Sequence, residues 1–305
     1  MCGIVGLLLR DPDLEPRLGS MLVPMIEALD ERGPDSSGIA VYADRDPSAT
    51  AEPSALRMSL GSDVPVDWGA FALSLGDAIG HDTTTEHHTF GAGLVVDLPG
   101  AEAATLRSFL QVHWPQVRVL GTGWQLRVLK DTGRPTDTCA RYGIGDWSGY
   151  LGVAHTRMAT ESAVTVLHSH PFVPRQDLCV VHNGSFSNYA SVRRRLKAEG
   201  VQFDSDNDSE VAARFLATRL EAGDDLDEAT RWVMKEMDGF FTMVISTATE
   251  MSVVRDAFAC KPAVVAETAG YVAVASEYRA LAELPGIADA QVFEPQPEEV
   301  YTWSR

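Results

Sequence analysis

Apolar positions recur along this chain in two periods. Residues 3–9 form a continuous apolar run punctuated by glycine, which predicts a buried strand. Leu18, Leu22, Ile26 and Leu29 stand at helical spacing and predict a helix that stops at Arg32-Gly33-Pro34, with Pro24 imposing a kink or a late start. Residues 37–42 read as a second strand. Residues 43–70 are rich in Asp, Pro, Ser and Ala with little periodicity, and predict an irregular surface excursion. Then come a strand over 91–98, a helix over 102–113, one or two strands over 117–129 and a Gly-rich return over 139–150. That stretch reads as a small strand–helix–strand insertion.

The second half is more regular. Short strands are predicted over 152–155 and 178–182, and a helix over 187–199 with Gly200 as its C-cap. Asn207-Asp208-Ser209-Glu210 has the form of a capping box opening a helix to Glu221. A further helix is predicted over 226–237, followed by strands over 240–246, 251–255, 263–267, 271–275 and 299–303. No repeat of fixed period is present. Several helices between two sets of neighbouring strands predict a layered α+β domain with antiparallel pairing.

Composition narrows the function classes. The 305 residues carry 25 Lys and Arg against 43 Asp and Glu, a net charge of −18. Such a chain repels phosphate backbones and anionic lipid, so neither nucleic acid nor membrane is expected as a partner. No apolar run is long enough for a transmembrane helix, and the N-terminus lacks a secretory pattern, so a cytoplasmic protein is expected. Cys2, Cys139, Cys179 and Cys260 are scattered and form neither a zinc knuckle nor a disulfide scaffold. His87-His88 has no second pair at ligand spacing, so no metal is expected. Arg193-Arg194-Arg195 reads as a helix surface.

The chemistry begins at Cys2. Removal of Met1 leaves one residue bearing both a thiol and a free α-amine, whose pKa of roughly 8 makes it a usable base near neutral pH. Nucleophile and general base then share one Cα. Alone, such a cysteine is most often inert. Five further segments change the weighting: Arg32-Gly33-Pro34-Asp35-Ser36-Ser37-Gly38, His155-Thr156-Arg157, Ser169-His170-Pro171-Phe172, His182-Asn183-Gly184 and Asn207-Asp208-Ser209-Glu210-Val211. Each has a plainer reading by itself. Asn-Gly is a common turn pair, Asp208 suits a helix start, and the histidines suit a core.

In this order, together with Cys2-Gly3-Ile4-Val5-Gly6, the segments resemble the class II glutamine amidotransferases, which are N-terminal-nucleophile hydrolases. The resemblance covers residues 1–42 and about 150–303, including Arg255-Asp256, Lys261-Pro262 and Ala275-Ser276-Glu277. It implies a four-layer αββα sandwich of two antiparallel sheets, a single domain over 1–305 with an insertion at about 43–150. It implies L-glutamine as substrate and Cys2 as nucleophile, with the Asn183 side chain and Gly184 backbone as oxyanion donors. Arg157 would clamp the substrate α-carboxylate, and Asp208 would meet its α-ammonium. Thr160 and His182 would join them at the substrate, and Arg32, Asp35 and Gly38 would support the site. Met158 and Glu161 depart from the Trp and His that many family members carry at those places.

The residues 158–165 resemble the branch of stand-alone amidotransferase subunits of glutamate-synthase-like complexes, including N-methylglutamate synthase. No acceptor domain follows Trp303 in this sequence, so a separate subunit is expected to take the ammonia, or a glutamyl group, or to gate the site, and the resemblance implies a glutamate-synthase-like synthase subunit in a hetero-oligomer. No cofactor is expected in this chain, and FMN or an iron–sulfur cluster would belong to that partner. The insertion is the candidate docking surface by elimination. Two other readings stay open: an amidase of the same type for a different amide, and a non-catalytic subunit retaining the fold. The Arg157–Asp208 charge pair argues against the first, and the intact Cys2, Asn183 and Gly184 against the second.

Overall fold

The computed structural model describes residues 2–44, 55–79, 93–159 and 163–305. In chain order the elements are β1 (Gly3–Leu9), α1 (Leu18–Glu27), β2 (Ser36–Tyr42), β3 (Ala55–Gly61), α2 (Trp68–Ile79), β4 (Gly93–Pro99), α3 (Ala103–His113), β5 (Arg118–Gly123), β6 (Leu126–Thr132) and α4 (Pro135–Arg141). There follow β7 (Leu151–Arg157), β8 (Phe172–Arg175), β9 (Leu178–Phe186), α5 (Tyr189–Ala198), α6 (Asp208–Glu221), α7 (Leu226–Glu236), β10 (Gly239–Ser246), β11 (Glu250–Arg255), β12 (Val264–Glu267), β13 (Tyr271–Ala275), β14 (Gln291–Phe293) and β15 (Val300–Ser304).

Two antiparallel sheets face each other. One runs β14-β12-β13-β1-β7-β2-β6 and the other β15-β11-β10-β9-β8. Strand pleat decides what each residue meets. In β1, Val5, Leu7 and Leu9 pack with Leu18, Leu22 and Ile26 of α1 on the outer face. Ile4 and Leu8 point the other way, into a core shared with Val181, Val244 and Val253 of the second sheet. Because β1 is buried on both faces, it reads as an unbroken apolar run rather than an alternation. Helices α5, α6 and α7 cover the outer face of the second sheet through Val192, Val211, Leu216 and Val233. The layers are therefore helix, sheet, sheet, helix, an α+β sandwich of antiparallel sheets as the motifs imply.

The insertion has its own core. Strands β4-β3-β5 form a third sheet, and α2 and α3 close it through Trp68, Phe71, Leu75, Leu106 and Leu110. Within 43–70 this corrects the expectation of an irregular excursion over residues 55–70, while 45–54 lie outside the described residues. Leu56, Met58 and Leu60 are the inward positions of β3, while Arg57 between them makes a bidentate buried pair with Asp97 at 3.0 Å. That charged residue at a buried position masked the strand. Strand β6 returns to the seven-stranded sheet beside β2. Helix α4, with Pro135 at its first turn, leads into the Gly-rich return and overlaps only its first residues.

The joint between insertion and sandwich is partly apolar, through Val95 of β4 in the core under α1 and Leu120 of β5 in the core between the sheets, and partly polar. Asp177 accepts backbone N–H bonds from Trp124, Gln125 and Leu126 at 2.8, 3.1 and 3.0 Å, pinning the β5–β6 turn to the β8–β9 turn. A Cβ on Gly123 would stand 2.2 Å from Asp177 Oδ1, so glycine is required by the close approach. Among the described residues no helix is long and apolar enough to cross a membrane.

Candidate active site

Pleat parity also assembles the site. Cys2 precedes β1 with the parity of Ile4 and Leu8, which face the space between the sheets. Arg157 and His155 share the parity of Val153 in β7, and Asn183 that of Cys179 and Val181 in β9, so all point into the same space. His182 has the opposite parity, with Val180 and Phe186, and so faces the helices. It stacks on Phe186 with ring centroids 4.4 Å apart, and its Nδ1 lies 2.6 Å from Ser209 Oγ in α6.

The surroundings of Cys2 are dense. Asn183 Nδ2 donates to Cys2 O at 3.1 Å, and Arg32 Nε donates to the same oxygen at 3.0 Å. Arg32 is in turn held by an ion pair with Glu277. Ser276 Oγ accepts from Ile4 N at 2.9 Å, fixing the start of β1. The Sγ of Cys2 accepts from Met158 N at 3.5 Å. Asp35 holds the chain just past Arg157, taking Ala159 N on Oδ2 at 2.8 Å. Gly38 lies against the His170 carbonyl, which a Cβ would meet at 2.0 Å. The three residues of the 32–38 turn thus act on the backbone around the site.

Asn183-Gly184 is not a turn, contrary to the plainer sequence reading. It lies inside β9, with Asn183 paired to Thr242 and Gly184 to Phe241. Gly184 has φ of +151°, and a Cβ there would stand 2.1 Å from Phe240 O. The glycine lets β9 carry a kinked backbone beside the cleft.

A cleft of about 600 Å³ opens here, with Cys2, Arg157, His182, Gly184, Asp208 and Lys261 on its walls. Arg157 is buried, and its Nη1 donates to Ala163 O at 2.9 Å. Burial pulls its pKa down, opposed by the charges of Cys2 and Asp35. Asp208 opens α6 after the N-cap Asn207, whose side chain accepts from Ser209 N. Asp208 Oδ2 accepts from Phe186 N at 2.9 Å and Oδ1 from Ser209 Oγ at 3.2 Å, tying the end of β9 to the helix. The predicted capping box is incomplete. Glu210 turns instead to Asp204 N and Ser205 N, and the full box is Asp225 with Glu228 in α7.

Three buried histidines cluster at the cleft, His170 and His182 on its wall and His155 against them. His155 Nε2 meets His182 O at 3.1 Å, and the His155 and His170 rings are 4.1 Å apart. Burial drives all three towards neutrality: His155 to about 3, His182 to about 4, and His170 well below its ordinary value. They add polar atoms and no positive charge at neutral pH.

The structure brings Cys2, Arg157, His182, Asn183, Gly184 and Asp208 to one cleft. Thr160, Glu161 and His87-His88 lie outside the described residues. Sequence reasoning noted His170 and Lys261 only as parts of motifs, yet both line the cleft. Only the tertiary approach of loops to β9 reveals them. Among the described residues no group of three or more His, Cys, Asp or Glu is placed to hold a metal.

The chain is 43% identical over 304 residues to the glutamine amidotransferase-like protein GlxB of Rhizobium meliloti (strain 1021), covering 99% of this chain and 98% of that one. It belongs to the class II glutamine amidotransferases. The glutamine amidotransferase domain model matches residues 155–283 of this amidotransferase, from His155 through the Asn183-Gly184 and Asp208 segments. Among solved structures, the B. subtilis glutamine phosphoribosylpyrophosphate amidotransferase complexed with ADP and GMP is similar at a TM-score of 0.62 and 16% identity, over 100% of this chain and 49% of that one. The allosteric regulatory enzyme of purine biosynthesis is similar at a TM-score of 0.63 and 17% identity, over 99% and 46%. Both likenesses concern the fold.

Proposed function

We propose that the mature amidotransferase hydrolyses L-glutamine at Cys2 to glutamate and ammonia and passes the nitrogen to a glutamate-synthase-like subunit, as in N-methylglutamate synthase. The observation that carries the glutaminase reading is the meeting of two sheets at the nucleophile. Asn183 of β9 reaches the Cys2 backbone at 3.1 Å, beside a cleft whose walls carry the buried Arg157 guanidinium and the Asp208 carboxylate.

Glutamine is a zwitterion, and Arg157 and Asp208 match its carboxylate and ammonium. The side-chain amide then lies toward Cys2. The α-amine of Cys2 takes the thiol proton, and sulfur adds to the amide carbon. Oxygen becomes an oxyanion, for which the second N–H of Asn183 and the backbone N–H of Gly184, on the cleft wall, are the proposed donors. The C–N bond breaks as the amine returns the proton to nitrogen, so ammonia leaves and a thioester remains. Water, deprotonated by the same amine, releases glutamate and restores the thiol.

Cys2→Ala should abolish glutamate release from glutamine in a coupled assay while leaving the thermal midpoint near that of the parent. Residual release at the parent rate removes Cys2 from the reaction. The synthase partner is tested by co-purification from native extract, where the absence of a flavin-bearing subunit of that type sinks the second half of the reading.

A further inference from the structure

A second cleft, of about 510 Å³, lies where the insertion meets the sandwich. One wall is α3 and the start of β5, with Arg107, Gln111 and Arg118. The facing wall is Leu167 with Phe203 and Asp204, from the loop before α6. Its floor continues into a small recess of about 40 Å³ that shares Val119, Leu167 and Asp204 and is lined by Lys130, Glu210 and Arg214.

The charges here run against those of the whole molecule. Asp204 and Glu210 are both engaged by Arg214, at 2.7 and 3.2 Å, and that trio retains one negative charge. Arg107, Arg118 and Lys130 supply three positive charges, so the joint site carries a surplus of two in a chain of net charge −18. Among the described residues neither Arg107 nor Arg118 has an ion-pair partner, despite the excess of acids. Lys130 is buried, with a relative exposure of 3%; its ammonium lies over the Phe172 ring at 5.1 Å and within the field of Glu210 and Asp204, the two acids already engaged by Arg214. Desolvating an ammonium is costly, so additional negative charge brought beside it is favourable. Burial lowers its pKa to about 8, so it remains mostly protonated at neutral pH.

The walls are also partly apolar, through Leu110, Val117 and Phe203. The volume falls in the range that takes small organic molecules. We propose that this junction cleft binds a small organic polyanion, one carrying two or more carboxylate or phosphate groups, through Arg107 and Arg118 over the Lys130 floor. The site is separate from the glutaminase cleft and does not depend on the glutaminase reading.

The test is calorimetric titration of the full chain with citrate and, separately, with pyrophosphate, at constant ionic strength set with sodium chloride. Saturable one-site binding of either anion is expected, citrate alone marking a carboxylate site and pyrophosphate alone a phosphate site. Arg107→Ala with Arg118→Ala should weaken it at least tenfold. Arg17→Ala with Arg194→Ala removes the same charge from exposed places elsewhere and should leave the affinity within twofold. No saturable binding of either anion, or equal losses in the two double variants, overturns the proposal.

Discussion

Cys2 owes its setting to single atoms on neighbouring residues. Its carbonyl is held by Arg32 and Asn183, and its sulfur touches only the Met158 backbone among the described hydrogen bonds. That division leaves the thiol facing the cleft while the backbone is fixed. Arg157 is the residue whose role a kinetic split can read. Arg157→Ala should raise the glutamine KM at least tenfold with a smaller effect on kcat, because a carboxylate clamp acts on substrate and transition state alike. An unchanged KM removes it from substrate binding. Gly184→Ala combines a left-handed backbone with a Cβ 2.1 Å from Phe240 O. It should lower the unfolding free energy by about 1–3 kcal/mol or more in urea titration, and a parent-like midpoint would show that β9 relaxes freely there. The buried histidines set a pH dependence. Their folded pKa values lie below the ordinary 6.5, so the unfolded chain binds more protons between pH 6.5 and about 4. Stability present above pH 6.5 should therefore be lost as pH falls through that window. Unfolding at pH 5.5 should take up about one proton for each of His155, His170 and His182.

At the scale of elements, β9 connects the two halves of the site. One face of its pleat sends Asn183 to Cys2, and the other sends His182 to Ser209 of α6. Asp208 then ties α6 back to Phe186 at the end of the same strand. A one-residue slip of β9 against β10 would exchange these faces and dismantle the site. Bulky partners resist that slip, since Val181 and Val244 pack between the sheets while Val180 and Ile245 pack under the helices. The β5–β6 turn depends on one carboxylate. Asp177→Ala would strip three backbone N–H groups of their acceptor. Amide exchange at Trp124, Gln125 and Leu126 should accelerate at least tenfold, a loss of roughly 1–3 kcal/mol of local protection. Unchanged exchange would mean that water replaces the carboxylate without loss.

Across the whole molecule, the insertion has a hydrophobic core of its own and meets the sandwich through the apolar Val95 and Leu120, the Asp177 contacts and the basic junction cleft. The strongly acidic surface coexists with basic side chains placed where the two cores meet. Much of this was legible in one dimension. The apolar run of β1, the helical spacing of Leu18, Leu22 and Ile26, and the strands from 240 to 275 all follow from burial, which leaves a periodic mark. The order of the short polar motifs likewise pointed to Cys2, Arg157, Asn183 and Asp208, because reactive residue types are rare enough to stand out. What the sequence could not decide was proximity. That Asn183-Gly184 sits within a strand, that His170 and Lys261 share the cleft with Cys2, and that Arg107 faces Asp204 across a gap all depend on contacts between segments far apart in the chain. Periodicity records which face of an element is buried; which other element buries it is settled only when the sheets and helices pack.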